Sequence, residues 1–221
     1  MKTKIILIKT VEDLEKIRKV EEDSTVVLIL TEDIDFVDPI EYFKGNYIKT
    51  GKPKFDPINV NGLNVIIYGN GHTISNLNVD INYNDCAGLF SKVDNLYIRN
   101  TKFYQSQIKG NDSVGIIAGE VHGKANIRSI EIIGGKVEGK LWVGGMVGYS
   151  HEVDVQNSYV NLEIKSEDLY GAVAGLALDN FNSKNVDATV FTRNEDNEII
   201  TENTKLCGLL RRSKKQKKLI K

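Results

Sequence analysis

The stretch Val143-Gly144-Gly145-Met146-Val147-Gly148 decides the fold of this 221-residue chain, because close copies of it recur along the sequence. The clearest copies are recognised by their leading glycines, at steps of 27, 29 and 27 residues: Gly88, Gly115, Gly144 and Gly171. A degenerate further copy, Cys207-Gly208-Leu209-Leu210, follows after a longer gap. A constant period of about 20–50 residues is typical of solenoids, in which each repeat forms one coil of a stack. We expect the glycines at bends where backbone packs against backbone.

A second phrase with the same period indicates that the coils consist of strands. It is centred on one small polar residue per repeat: Asn76, Asn100, Ser129, Asn157 and Asn185. Apolar and polar residues alternate around these positions, which is typical of β-strands. Short strands in repeats of about 28 residues predict an all-β fold, a parallel β-helix, with equivalent side chains stacked at roughly 4.8 Å. The asparagines are then expected to form a ladder of amide hydrogen bonds.

The alternative fold is a β-sandwich or barrel in which the glycine spacing is accidental. Two independent phrases share one period, and this argues against an accident. The β-helix is therefore the predicted fold.

The repeats resemble those of the bacterial GLUG-motif family, which follow a loose Val-Gly-Gly-Leu-Val-Gly pattern. Val143–Gly148 is the closest match, and Gly69–Leu77 is similar to the first coil of such proteins. The resemblance covers roughly residues 10–190. It implies a right-handed parallel β-helix, and it gives no catalytic residue to look for. Such repeats are found in surface adhesins and in non-catalytic parts of secreted proteases.

The first 22 residues do not form a full repeat. We expect residues 1–22 to form a strand and a short helix that caps the open end of the solenoid. Thr10 and Asp13 resemble a capping box at the start of this helix, with Asp in place of the usual Glu or Gln. Three apolar side chains would then share one face of the helix: Leu14, Ile17 and Val20.

The rest of the chain is predicted to form the solenoid and its second cap. Residues 23–205 are expected to form the β-helix, with 26–30 as its first buried strand. An irregular insertion is expected at about 37–57, where all three prolines lie. Residues 206–221 are expected to cap the last coil and to end in a basic tail.

Charge is unevenly distributed along the chain. Residues 1–210 hold 22 basic and 30 acidic residues, a net charge of −8, whereas the last eleven residues hold seven basic residues and no acid. The tail residues that we expect to contact a partner are Arg211, Arg212, Lys214 and Lys215. Such a tail attracts nucleic-acid phosphates in a salt-dependent way. The alternative is a solubilising or disordered tail.

Cysteine content and apolar runs indicate the compartment. Cys86 and Cys207 are too few for a disulfide framework, as is usual in a reducing compartment. The run Ile5–Ile8 is too short for a signal peptide, and no stretch approaches the length of a transmembrane helix. We therefore expect a cytoplasmic protein with no membrane insertion.

Alignment of the coils on the asparagine phrase offers little catalytic chemistry. Glu131 and Asp187 fall two coils apart, about 10 Å, with Tyr159 between them, which suits an inverting glycosidase. Solvated surface acids are the simpler interpretation. His122 and His151 fall on adjacent coils, but no third ligand shares their column, and a zinc site needs one. We expect no catalytic residue, no metal and no cofactor.

Three outward positions are the candidate binding residues of the solenoid. The first is a column of basic and polar residues after Ser75: Arg99, Arg128, Gln156 and Lys184. This column predicts a basic stripe that binds an acidic partner. The alternative is an ordinary charged surface whose basic residues are compensated by nearby acids. The second is Tyr159. The third is Trp142, the only tryptophan, which suits a contact with protein or sugar or packs over an edge of the solenoid.

These observations favour a non-catalytic binding module. The predicted function is that of a cytoplasmic interaction protein, such as a phage- or mobile-element-encoded inhibitor of a host defence enzyme. The alternatives are an adhesin-type surface module and a carbohydrate-active enzyme. The expected partner is a protein, with nucleic acid as the partner of the tail and self-association through the faces or ends of the solenoid.

Overall fold

A computed structural model describes residues 2–22, 24–37, 41–43, 46–48, 54–81, 86–193, 199–202 and 205–210. In this part of the chain the predicted fold is confirmed, because nearly all of it is parallel β-structure wound into a solenoid of about five turns.

The short elements come first along the chain. They are β1 (Thr3–Ile8), α1 (Val11–Glu15), a 3₁₀ helix (Lys16–Lys19), β2 (Thr25–Leu30), β3 (Ile34–Asp35), β4 (Glu41–Phe43) and β5 (Asn46–Ile48). The solenoid strands follow: β6 (Ile58–Tyr68), β7 (Thr73–Ser75), β8 (Asn78–Asp80), β9 (Cys86–Ala87), β10 (Phe90–Lys109), β11 (Ser113–Val114), β12 (Ala118–Gly139), β13 (Trp142–Gly144), β14 (Val147–Ser166), β15 (Leu169–Gly171), β16 (Ala174–Arg193), β17 (Ile199–Glu202) and β18 (Cys207–Leu210).

Two parallel sheets form the walls of the solenoid. The larger has the order β1-β2-β6-β10-β12-β14-β16-β17, in which β17 is antiparallel to β16, and β18 also pairs with β16. The smaller has the order β15-β13-β11-β9. Strands β4 and β5 form a separate antiparallel pair.

The core is a set of stacked apolar columns inside the coils. Ile98, Ile127 and Val155 are partners in register on β10, β12 and β14, and each is fully buried. The alternation of each strand sends these side chains inward and their neighbours outward. Burial of each such side chain contributes about 1.5–3 kcal/mol to folding, which makes the columns the main stabilising feature.

The glycine phrases form the bends, as predicted. A Cβ atom added at Gly115 would lie only 2.7 Å from the carbonyl oxygen of Met146 on the next coil, so no side chain fits there. The further copy at Cys207 stacks on the last coil with a different register from the expected one. Because Cys207 pairs with Ala174, Gly208 lies beside Gly175, the second glycine of the fourth phrase, and not beside its leading glycine, Gly171.

The asparagine phrase forms a second type of bend. Its members in the last four repeats have positive φ angles, between 50° and 55°: Asn100, Ser129, Asn157 and Asn185. Asparagine tolerates this left-handed conformation better than most residues. Among the described members of this column, one amide pair forms the predicted ladder, where Asn185 Nδ2 donates to Asn157 Oδ1 at 3.0 Å.

Asn76 does not belong to this column, which corrects the sequence alignment. Because Ser75 pairs with Tyr104, Asn76 stands beside Gln105, in a separate bend that also has positive φ angles. The place before Arg99 in the outward column therefore belongs to Tyr68 and not to Ser75.

The N-terminal helix begins as expected. The backbone N–H of Thr10 donates to Asp13 Oδ2 at 3.2 Å, and the helix continues after Glu15 as the 3₁₀ turn. Leu14 and Ile17 are buried against the core. The strand predicted at 26–30 is buried on one face only.

The remaining terminal and insertion predictions fall mostly outside the described residues. This holds for most of 37–57 and for the tail residues Arg211, Arg212, Lys214 and Lys215. Within the described chain, no helix has the length and apolar character needed to cross a bilayer.

Candidate interaction face

The outer side of the first four strands carries two apolar columns. In the first, Ile5 pairs with Val27, Val27 with Ile66, and Ile66 with Tyr97. In the second, Leu7 pairs with Ile29, Ile29 with Tyr68, and Tyr68 with Arg99. We call the seven apolar residues of these columns the N-terminal apolar face: Ile5, Leu7, Val27, Ile29, Ile66, Tyr68 and Tyr97.

This face exists because β1 and β2 do not alternate between apolar and polar residues. Both strands are apolar at consecutive positions, so that one set of side chains faces the core and the other faces outward. Ile5 and Leu7 are 63% and 54% exposed, and the other five members are half-buried. Further along the stack, the column of Ile5 becomes polar at Asn126 and Asp154. The apolar surface is therefore confined to the N-terminal end of the sheet.

Sequence reasoning missed this face, although its signal was present. The runs Ile5–Ile8 and Val26–Leu30 are apolar at every position, which a short apolar segment and a strand buried on one face do not require. Consecutive apolar residues in a strand indicate that both faces are to be covered. A strand next to the open end of a solenoid has the core on one side only, so its second face remains available.

Arg99 borders the N-terminal apolar face. Its guanidinium carbon lies 4.5 Å from the ring centroid of Tyr68, and the rings of Tyr68 and Tyr97 meet edge to face at 6.2 Å. The Arg99 side chain is exposed and makes no ion pair with any residue in the described part of the chain. A charged planar group is thus held by an aromatic ring beside an apolar surface.

The rest of the predicted basic column is largely compensated. Arg99, Arg128, Gln156 and Lys184 are adjacent in register, as expected. Arg128 Nη2 lies 2.8 Å from Asp154 Oδ2, and both side chains are mostly buried. The hydrogen bond from Arg128 holds the pKa of Asp154 below its usual value, and Gln156 also contacts this carboxylate, at 3.4 Å. Lys184 is exposed.

Tyr159 lies between Glu131 and Asp187 in one column, as the alignment predicted. It is 37% exposed, and its hydroxyl accepts a hydrogen bond from Asn161 Nδ2 at 3.1 Å. Glu131 forms an ion pair with Lys102 at 3.0 Å, which leaves one carboxylate of the supposed glycosidase pair engaged with a cation.

Trp142 lies at an edge of the solenoid between Ser113 and Leu169, as expected. It is half-buried, and its ring packs on Tyr149 at a centroid distance of 5.5 Å. Tyr149 in turn meets the ring of His151 at 5.8 Å. These contacts favour the prediction that Trp142 packs over an edge of the solenoid. They do not favour the prediction that it is an exposed anchor for a partner.

The two histidines that stack on adjacent coils each contact a carboxylate. His122 Nε2 lies 3.1 Å from Glu120, and His151 Nδ1 lies 3.0 Å from Asp179. Across the described residues, no three His, Cys, Asp or Glu side chains come together in a way that could hold a metal ion.

Glu120 also contacts a buried cysteine. The Cys86 thiol donates to Glu120 Oε2 at 3.2 Å, and Lys92 pairs with the same carboxylate at 3.1 Å. Burial and the neighbouring Glu120 charge raise the pKa of Cys86 to about 12. This thiol is therefore protonated at neutral pH, unlike a nucleophilic cysteine.

Comparisons with known proteins assign no family to the chain. No family model matches it, and no solved structure matches it. It is similar to halomucin of Haloquadratum walsbyi, with 36% identity over 81 residues. That match spans 36% of this chain and 1% of halomucin. The resemblance to the GLUG-motif family stays a prediction.

Proposed function

We propose that this protein is a non-catalytic β-helix module that binds a protein partner through the N-terminal apolar face. The observation that carries the proposal is the continuous outward column Ile5–Val27–Ile66–Tyr97 beside the parallel column that ends at Arg99. Soluble proteins rarely leave a contiguous apolar surface of this kind without a use for it.

The composition of this surface suits a protein partner. The centre of a protein interface is apolar, and tyrosine and arginine are enriched among the residues that contribute most to binding. Here Tyr68, Tyr97 and Arg99 lie together at one border of the face. A polar rim is supplied by Thr3 and Asn64, which flank the columns.

The partner surface that fits is apolar with a carboxylate at its border. Arg99 presents a guanidinium without an ion pair in the described chain, and carboxylates bind this group in a bidentate way. The ring of Tyr68 limits the motion of the arginine, so less conformational entropy is lost when a partner binds. Covering Ile5 and Leu7 adds roughly 1–2 kcal/mol each, from the apolar area that they expose.

The proposal is tested with tagged protein and a lysate of the native host. We compare Ile66→Lys with Asn182→Lys, which places the same charge in the same outward column at the polar end of the sheet. A partner captured by the unsubstituted protein and by Asn182→Lys, but lost with Ile66→Lys, supports the proposal. Equal capture by both variants contradicts it.

Inhibition of a host defence enzyme is one form that such binding can take, and it stays a prediction, as does a cytoplasmic location. The described residues hold no observation that favours an adhesin or a carbohydrate-active enzyme over a protein-binding module. An assay with the purified partner would decide whether binding alters its activity.

A further inference from the structure

Among the described strands, β1 has a partner along one of its two backbone edges only. It is the outermost strand of the larger sheet, and it pairs only with β2 among the described strands. The carbonyl oxygens of Lys2 and Ile8 accept hydrogen bonds from the β2 side, from Thr25 at 2.9 Å and Thr31 at 3.0 Å. Because backbone groups alternate along a strand, Lys4 and Ile6 also face β2.

The alternate residues therefore face away from the sheet. These are Thr3, Ile5 and Leu7, and all three are exposed. Their N–H and C=O groups have no backbone partner within the described part of the chain. A free edge of this kind readily accepts another strand.

We propose that β1 pairs antiparallel with β1 of a second copy of this chain, about a two-fold axis at Ile5. In this register Ile5 lies opposite Ile5 of the second copy, and Thr3 lies opposite Leu7. All three free residues of each copy then form hydrogen-bonded pairs, whereas a shift of the axis to either side loses at least one pair. The edge is thus self-complementary, as a two-fold interface requires.

Charge at the two ends of β1 suits this arrangement. Lysines on an edge strand usually discourage pairing. Here Lys2 is paired with Glu21 at 3.0 Å, and Lys9 lies 3.9 Å from Glu32. The two-fold axis places the Lys2–Glu21 ion pair of one copy near the Lys9–Glu32 ion pair of the other copy. Like charges are therefore kept apart at the ends of the shared strand pair, whereas Lys4, which is exposed within β1, lies opposite Ile6 of the second copy and diagonal to its Lys4.

The outer faces of the two sheets become continuous across such a dimer. The axis is perpendicular to the sheet, so the N-terminal apolar faces of both copies lie on the same side. Ile5 packs on Ile5 of the second copy, and Leu7 packs on Thr3. The edge alone buries less than the roughly 1,200 Å² typical of stable interfaces, so we expect a dimer that forms at micromolar concentrations.

A disulfide test fixes both the pairing and its register. In the proposed register the two Cα atoms at position 5 lie about 5.5 Å apart, within the range that a disulfide spans. The two Cα atoms at position 7 lie roughly 15 Å apart, beyond that range. Under mild oxidation, Ile5→Cys is expected to form a covalent dimer and Leu7→Cys is not. Equal cross-linking of both, or of neither, overturns the proposal.

A second variant tests the same edge without cysteine chemistry. Ile5→Pro removes an N–H group that faces away from β2, so the fold is retained, as proline is tolerated on a free edge. Its dimer dissociation constant, measured by sedimentation equilibrium, is expected to rise at least tenfold, because two symmetric hydrogen bonds are lost. An unsubstituted protein that stays monomeric at millimolar concentration overturns the proposal. That result leaves capture of a partner through Ile66 intact, so the two proposals fail separately.

Discussion

Arg99 and Tyr68 are neighbours on successive coils, and the guanidinium carbon of Arg99 lies 4.5 Å from the centroid of the Tyr68 ring. The next arginine of the column, Arg128, is instead held by the Asp154 carboxylate at 2.8 Å. One column thus contains an arginine available to a partner and an arginine that serves the fold. Their substitutions should therefore affect different properties.

The Arg99–Tyr68 contact is expected to contribute little to stability. Exposed cation–π contacts are worth about 0.5–1 kcal/mol, so Arg99→Ala should lower the free energy of unfolding by no more than that. Urea denaturation of Arg99→Ala, Tyr68→Ala and the double variant measures the coupling between the two side chains. A loss above about 2 kcal/mol for Arg99→Ala would show that this arginine is structural.

Asp154→Asn is expected to destabilise the solenoid in a pH-dependent way. The pKa of Asp154 is lowered by the hydrogen bond from Arg128. The carboxylate therefore stabilises the fold fully above the unfolded pKa of about 3.9, and this contribution is lost as the pH falls through the lower folded pKa. We expect Asp154→Asn to cost about 1–3 kcal/mol at pH 7 and almost nothing well below pH 3. Unfolding curves at both pH values measure this, and an equal cost at both would contradict it.

The fold could be predicted because its bends are fixed by close contacts between backbones. Such contacts exclude every side chain at positions such as Gly115 and Gly144, so the period appears directly in the sequence. The register of the first coil could not be predicted in the same way. Its bend uses Gly69 and Asn70 in place of one asparagine, and this shifts Tyr68, not Ser75, into line with Arg99.

The candidate face depends on that register. Polar and apolar residues alternate in the later coils, so the sequence predicts the column of Arg99 but not its apolar continuation. The continuation consists of side chains from β1, β2 and β6, which come together only when these strands are stacked. The packing of Trp142 could not be predicted either, because the Tyr149 ring that contacts it lies on the other side of a bend.

Gly115→Ala is expected to disrupt the stack far more than Gly71→Ala. The added Cβ at Gly115 would lie 2.7 Å from backbone atoms of the next coil, which cannot move without displacing Met146 and Val147. We expect a loss of about 3 kcal/mol or more. Gly71 has a φ of +85° but open space around it, so alanine there costs about 1 kcal/mol of backbone strain. Thermal unfolding of both variants decides the matter, and equal losses would contradict the close-contact explanation of the period.

Cys86 is expected to resist alkylation in the folded protein. Burial, together with the charge of Glu120, raises its pKa to about 12, whereas an unfolded cysteine ionises near 8.5. The folded thiol is therefore at least a hundredfold less ionised at pH 8, and the fold loses stability as the pH rises above about 8.5, where only the unfolded chain releases this proton. Iodoacetamide labelling followed by peptide mass analysis compares native and urea-unfolded protein. Glu120→Gln keeps an acceptor at the same place but removes the charge, so its Cys86 should react faster in the folded state. Rapid labelling of native Cys86 at pH 8, or no change with Glu120→Gln, would contradict the role assigned to this carboxylate.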